Sequence, residues 1–307
     1  MKTLIVGAGA MGGIVGALLA ESGVDVTLYD VARAQVEAIQ KNGLIIERGD
    51  RRRVVKIRAT MDISQLEPVD LLIVLVKSYD TRQAVQGAMS CVTPDTSVLT
   101  LQNGVGNVEE ITVLIPPRQV FAGVTSHGAM VLHPGIIRHN GGAKTFIGPV
   151  DPEQFSRAQE IAGIFNQAGI ETVVTEDIQG VIWTKLTANA AINPLTATLR
   201  CPNGELVRDR NSLAIMEKIV DEVKKLASVQ GIKLIQEDML DYVKNVCHAT
   251  SGNNSSMLMD ILKGRRTEID AINGRIALLG QKYGVPVPVN ECLAGLVRMV
   301  ESRGKCQ

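Results

Sequence analysis

The chain has 307 residues, long enough for two domains with an ample core. Hydrophobic residues make up 45% and charged residues 21%, the profile of a soluble globular protein. Basic and acidic residues balance at 32 each and aromatics are only 3%, which excludes a general attraction to nucleic acid or anionic membrane and a base-stacking surface.

The chain opens with the apolar run Leu4-Ile5-Val6, followed at once by Gly7-Ala8-Gly9-Ala10-Met11-Gly12. A second apolar run, Val26-Thr27-Leu28-Tyr29, ends on the acid Asp30. A lone G-x-G-x-x-G is a weak signal, but strand, glycine turn, helix, strand and acid together form a dinucleotide-binding pattern. Gly7 allows the tight turn, Gly9 lets a pyrophosphate approach the backbone, and Gly12 lets helix and strand pack closely. The phosphates would sit over the free N–H groups and positive end of the helix. A sharp strand-to-helix turn with no ligand is the bland alternative.

Strands are expected at residues 3–6, 25–29, 71–76, 97–101 and 120–123, alternating with helices at 11–22, 31–42 and 81–89. That alternation implies a parallel, doubly wound sheet. Residues 71–76 are apolar at every position, as in a strand covered on both faces. Around 123–150 the pattern becomes glycine-rich and reads as antiparallel strands turning at Pro134-Gly135. After about residue 176 the strands stop, and helices are expected at 178–193, 212–230, 236–249, 256–283 and 290–303. Gly231 and Gly284 stand where helices would end. The expected organisation is α/β: an N-terminal Rossmann-like domain at 1–175 and an all-helical substrate and dimerisation domain at 176–307. Ligands of doubly wound sheets lie beyond the strands' carboxyl ends, so the active site is expected in the cleft between the domains.

Lys185, Asn189 and Asn193 interrupt an apolar helical stretch at i, i+4, i+8 and share one face. Carboxamides can hold carbonyl and hydroxyl oxygens while an ammonium donates a proton; a solvated face of an amphipathic helix reads equally well. Lys77 and Asn103 each follow an apolar strand, where this fold places ligand contacts. They also read as a surface lysine and an ordinary Asn-Gly turn. Asn253-Asn254-Ser255-Ser256 precedes an apolar run and reads first as a helix N-cap, and Glu268 reads first as a surface helix acid.

Cys91, Cys201, Cys247, Cys292 and Cys306 are odd in number with no C-x-x-C pair, which fits reduced thiols rather than disulfides or a zinc knuckle. His127, His133 and His139 recur at a regular spacing, but Pro134-Gly135 breaks the strand between them and no acidic or thiol partner stands nearby, so no metal site is expected. Met1-Lys2 runs straight into the first strand, leaving no room for a targeting segment. No apolar run approaches the roughly 18 residues that span a bilayer. A cytoplasmic protein is expected.

Together these pieces resemble ketopantoate reductase. The resemblance rests on Gly7-Ala8-Gly9-Ala10-Met11-Gly12, Leu101-Gln102-Asn103-Gly104, Trp183-Thr184-Lys185-Leu186 and Asn193-Pro194-Leu195-Thr196-Ala197. It continues through Cys201-Pro202-Asn203-Gly204-Glu205-Leu206, Ser255-Ser256-Met257-Leu258 and Thr267-Glu268-Ile269-Asp270-Ala271-Ile272-Asn273-Gly274, nearly the whole chain. The resemblance implies reduction of a 2-keto acid, 2-dehydropantoate, to pantoate by a nicotinamide cofactor, on the path to coenzyme A. It implies Lys185 as general acid and Glu268 as a carboxylate that contacts substrate and orients the lysine. Asn103, Asn189, Asn193, Asn253 and Ser256 would hold the substrate. Asn103 would also border the nicotinamide, and Lys77 would stand at the cofactor side. Homodimerisation through the helical domain is compatible with it.

One departure matters. Members of that family commonly place an arginine just after the second strand to meet the 2′-phosphate of NADPH, whereas this chain reads Tyr29-Asp30-Val31-Ala32-Arg33. A carboxylate accepts from a free 2′-hydroxyl but repels a 2′-phosphate, so NAD(H) is favoured, with Arg33 as a route to NADP(H). Two rival functions stand beside this reading. One is an NAD-dependent D-2-hydroxy acid dehydrogenase with another side-chain pocket. The other is a nucleotide-binding redox sensor without turnover, against which Lys185 speaks.

Overall fold

The computed structural model describes residues 1–304. By their contacts they form two units. The first takes Met1–Gln102 and Asn107–Ile178; the second takes Asn103–Gly106 and the chain from Gln179 onward. Asn103–Gly106, which sequence alone assigns to the first domain, thus clusters with the helical part.

In chain order the first unit runs β1 (Lys2–Val6), α1 (Ala10–Glu21), β2 (Asp25–Tyr29), α2 (Arg33–Asn42), β3 (Leu44–Arg48), β4 (Arg51–Val55) and β5 (Arg58–Thr60). It continues through β6 (Leu71–Val74), α3 (Thr81–Gly87), β7 (Ser97–Thr100), α4 (Asn107–Thr112), β8 (Val120–Thr125) and β9 (Ala129–His133). It ends with β10 (Ile136–His139), β11 (Thr145–Pro149), α5 (Phe155–Gln167) and β12 (Thr172–Val174). Among the described residues the main sheet has the order β12-β11-β8-β7-β6-β1-β2-β5. From β5 to β8 all neighbours are parallel, while β11 runs against β8 and β12 runs along β11. The chain winds away from β1 in both directions, so its order reverses between β1 and β6. That doubly wound pattern opens a crevice beyond the carboxyl ends of those two strands. β6 is buried at every position, as its unbroken apolar run implies.

A second sheet has the order β4-β3-β10-β9, and the sequence indicates only half of it. β9 and β10 are antiparallel and turn at Pro134-Gly135, as expected, but β10 also pairs parallel with β3. This sheet covers the face of α1 turned away from β1 and β2. A Cβ on Gly13 would land 2.1 Å from Ile137 Cδ1. A helix covered on two sides must be apolar all round, and α1 buries Ile14, Val15, Ala17 and Leu19 without a clear polar face.

The second unit holds α6 (Ile178–Leu199), α7 (Asn203–Leu206), α8 (Arg210–Val229), α9 (Met239–Ala249), α10 (Ser256–Leu262), α11 (Asn273–Tyr283) and α12 (Pro288–Gly304). They close over Trp183, Leu186, Met216, Val223, Val243, Ile276 and Val297. Two sequence expectations fail here. Helix α6 does not stop at Asn193 but runs through Pro194 to Leu199. The expected single helix over 256–283 is broken. Gly264 takes φ +62°, its N–H donates to Ile261 O at 3.0 Å, and Arg265 N–H donates to Asp260 O at 2.8 Å. This left-handed glycine cap satisfies the last carbonyls of α10 and ends it. Among the described residues no helix is long and apolar enough to cross a membrane.

Candidate functional site

The glycine turn after β1 is built for close approach. Gly7 takes φ +105°, and a Cβ there would sit 2.7 Å from the Leu75 backbone, so only glycine fits where β1 and β6 end side by side. A Cβ on Gly12 would lie 1.8 Å from Gly7 O, which closes the turn onto α1. At Gly9 a Cβ would meet nothing within 4 Å. The open glycine of the three therefore stands where a pyrophosphate must come near the backbone, beside the first-turn N–H groups of α1. These residues fit a dinucleotide.

Asp30 holds the turn itself, which the sequence did not reveal. Its Oδ2 accepts from Ala8 N–H at 2.7 Å and its Oδ1 from Ala32 N–H at 2.8 Å. Each oxygen keeps a lone pair for a ribose hydroxyl. Ala8 is held on its other side as well: buried Gln35 donates from Nε2 to Ala8 O at 2.8 Å and accepts from Gly135 N–H at 2.9 Å. Gln35 thus pins the glycine turn to the β9–β10 hairpin. Exposed in α2's sequence pattern, it gave no signal, because its partners are remote in the chain. Gln35→Leu removes both of these buried hydrogen bonds, each worth about 1 kcal/mol, and should weaken dinucleotide binding by about ten- to thirtyfold. Titration of nucleotide fluorescence would show this, and an unchanged Kd would remove Gln35 from the site.

Lys77 follows β6, half-buried, and Lys77 O accepts from Asp80 N–H at 2.8 Å as the chain turns into α3. Gln102 braces this loop from the end of β7, donating to Val76 O at 2.9 Å and to Thr81 Oγ1 at 2.8 Å. Beyond it the chain passes into the second unit.

There Gly104 takes φ +80° with its Cβ direction 2.5 Å from Ala271 O, and Val105 N–H donates to that same oxygen at 3.1 Å. The segment carrying Asn103 is therefore seated on the short turn Ile269–Ala271 that follows Glu268. The reading of Glu268 as a surface helix acid is overturned: the break after α10 takes it out of any helix, and it is 8% exposed. On α6, Lys185 and Asn189 are half-buried and Asn193 is buried, so the stripe is not a solvated face. Burial pushes the Lys185 ammonium down to about 8, against the opposing pull of the nearby Glu268 carboxylate.

The helix cap before α10 belongs to Ser255. Its Oγ accepts from Leu258 N–H at 3.1 Å and from Thr196 Oγ1 at 2.7 Å, tying α10 to α6. Ser256 and Asn253 are left exposed, their side chains outside the cap. Asn253 O accepts from Asn203 N–H at 3.0 Å. Away from these groups, His127 and His139 stack at 5.2 Å, with Nδ1 of the first 3.0 Å from Nε2 of the second. Burial pushes both imidazoles down, His139 to about 4. Cys91, Cys201, Cys247 and Cys292 are free thiols; Cys306 lies outside the described residues.

A doubly wound nucleotide-binding unit followed by helices carrying a lysine of lowered basicity and several carboxamides defines a dehydrogenase-type oxidoreductase. The chain belongs to the ketopantoate reductase PanE/ApbA family: the family's sequence pattern matches residues 3–152 and its C-terminal pattern residues 177–301. A 2-dehydropantoate 2-reductase of Pyrococcus horikoshii is 40% identical over 304 residues, covering 99% of both chains. A solved PanE/ApbA family ketopantoate reductase from Ralstonia eutropha is 33% identical with a TM-score of 0.91 over 99% of this chain and all of that one. D-mandelate dehydrogenase, solved with NADH and anilino(oxo)acetate, is 29% identical with a TM-score of 0.95 over 99% of this chain and all of that one.

Proposed function

We propose that the protein reduces 2-dehydropantoate to (R)-pantoate with a nicotinamide cofactor, NAD(H) in preference to NADP(H). The observation that carries this reading is a half-buried Lys185, its pKa drawn down to about 8, beside a buried Glu268 and on one stripe with two carboxamides. A bound nicotinamide supplies the hydride. The first unit supplies the nucleotide cradle through Gly7, Ala8, Gly9, Ala10, Met11, Gly12, Asp30 and Lys77. The second unit supplies the groups for the keto acid: Lys185, Glu268, Asn103, Asn189, Asn193, Asn253 and Ser256.

As negative charge develops on the ketone oxygen, the Lys185 ammonium stabilises it and gives up its Nζ proton. A donor with a pKa near 8 is mostly protonated at neutral pH yet releases its proton readily. Glu268 keeps the proton on Lys185 by its charge. Asn189 and Asn193 can donate to carboxylate or ketone oxygens, and exposed Ser256 and Asn253 can meet a terminal hydroxyl.

Turnover of 2-ketopantoate and of bulkier 2-keto acids with NADH and NADPH, side by side, tests the proposal. Preference for an aromatic 2-keto acid would favour the second reading, a D-2-hydroxy acid dehydrogenase, which the likeness to D-mandelate dehydrogenase keeps in view. The pH dependence follows from Lys185. Reduction should hold steady below about pH 8 and fall as pH rises through that value, because the deprotonated amine has no proton to give. Glu268→Gln removes the charge that raises the lysine, so the falling limb of kcat/KM should move to lower pH by about one unit. A limb that stays put would separate Glu268 from Lys185.

A further inference from the structure

Pro194 lies inside α6 and has no N–H. In an unbroken helix that N–H would donate to the carbonyl four residues earlier, that of Ala190, so Pro194 leaves this oxygen without its helical donor. Ala190 is completely buried, where water cannot take over. The donor comes instead from α11: Asn273 Nδ2 lies 3.0 Å from Ala190 O.

Asn273 is itself held in one orientation. Its Nδ2 also donates to Asn290 Oδ1 at 2.9 Å, and Asn290 Nδ2 donates to Glu222 Oε2 at 2.7 Å. Glu222 accepts further from Asn290 N–H at 3.0 Å and Val289 N–H at 2.9 Å. An ionised carboxylate only accepts, so it fixes which end of Asn290 faces it. Asn290 must then present its oxygen to Asn273, and Asn273 must present its nitrogen to α6. Asn273 and Asn290 are fully buried, and Glu222 is nearly so. Asn273 Oδ1 is buried without a hydrogen-bond partner, so the direction of the chain is set from the Glu222 and Asn290 side and ends on the Asn273 nitrogen.

We infer that Asn273 is a positioning residue: its amide replaces the hydrogen bond that Pro194 withholds from Ala190 and so sets the course of α6 at the step bearing Asn189 and Asn193. This rests on the proposed reduction insofar as those asparagines hold the keto acid. Pro194 frees a carbonyl in mid-helix, and Asn273, answering from the element after Glu268, locks together the two segments that carry the chemistry. Lys185 and Asn189 precede Ala190 on this helix and Asn193 follows it, so a change of course at Ala190–Pro194 moves Asn193 relative to the proton donor.

The test is a double-mutant cycle in the full chain with Asn273→Ala and Pro194→Ala, reading Tm, kcat, KM for 2-ketopantoate and Kd for NADH. Asn273→Ala should lower kcat on the order of tenfold and raise KM while leaving NADH Kd within about twofold, since it disturbs only the keto-acid groups. It should also lower Tm. Pro194→Ala restores an N–H at position 194, so adding it to Asn273→Ala should recover much of both losses. If Asn273→Ala alone fails to fold and the double variant folds, the inference stands. Equal losses from Asn273→Ala in the parent and in the Pro194→Ala variant, or failure of both the single and the double variant to fold, would overturn it. Tm coupling reads out the Asn273–Pro194 link even if 2-ketopantoate proves not to be the substrate, which separates this inference from the assignment of the reaction.

Discussion

Replacing Lys185 by alanine should lower kcat for 2-ketopantoate reduction by about 10²–10⁴, the usual contribution of a positioned general acid. NADH affinity should barely change, because the residues proposed to hold the nucleotide, the glycine turn, Asp30 and Lys77, belong to the other unit. Burial lowers the lysine and Glu268 raises it; burial wins, and the result is an ammonium poised near 8 rather than one fixed in its charged form. Lys185→Arg discriminates between two roles. A guanidinium keeps the positive charge but does not give up its proton at accessible pH. If Lys185 serves only to attract a carboxylate, the arginine variant should keep most of its turnover. If it donates the proton, the arginine variant should be nearly as slow as the alanine variant and should lose the falling limb near pH 8. A Lys185→Ala enzyme within about threefold of the parent in kcat would show that the proton comes from elsewhere.

The local parts of this molecule were legible in the sequence and the remote ones were not. The glycine turn, Asp30, the β6 run and the Pro134-Gly135 hairpin declare themselves because the spacing that reveals them is the spacing that builds them. The stripe Lys185, Asn189, Asn193 is visible for the same reason. Strands β3 and β4 escaped because Arg51-Arg52-Arg53 reads as a charge run, although Gly49, at φ +56°, marks the turn between them. Residues 256–283 keep helical periodicity across Gly264, and only the cap geometry shows that the helix stops there. This break decides the environment of Glu268, which no periodicity could give. Gln35, Gln102 and Asn273 act on backbone groups far away in the chain, at Gly135, Val76 and Ala190. An amide side chain looks the same in sequence whether it faces water or completes someone else's helix. The Pro194 in mid-helix did carry a clue, since a proline there obliges some other group to meet the Ala190 carbonyl.

A double variant, Asp30→Asn with Val31→Arg, should move the ratio of kcat/KM for NADPH over NADH by about a hundredfold toward NADPH. Two unit charges 4 Å apart interact by about 4 kcal/mol at an effective dielectric of 20, and exposure to salt leaves about half of that at a nucleotide site. Removing the Asp30 anion relieves the repulsion of a 2′-phosphate, and an arginine beside it can grip that phosphate with two parallel hydrogen bonds. Position 31 can take the side chain, since Val31 is 81% exposed. Asparagine is preferred to alanine at position 30 because the carboxylate also holds Ala8 N–H at 2.7 Å and Ala32 N–H at 2.8 Å. An amide oxygen can keep one of those bonds, whereas alanine would loosen the glycine turn and weaken both cofactors alike. The parent protein should prefer NADH. Arg33 supplies the natural route to the opposite result: it is exposed and, among the described residues, held by a long contact to Glu37, 3.5 Å, that it can give up to turn toward a phosphate. A parent enzyme that strongly prefers NADPH, and loses that preference on Arg33→Ala, would show that Arg33 outweighs Asp30. It would assign Asp30 to the turn alone.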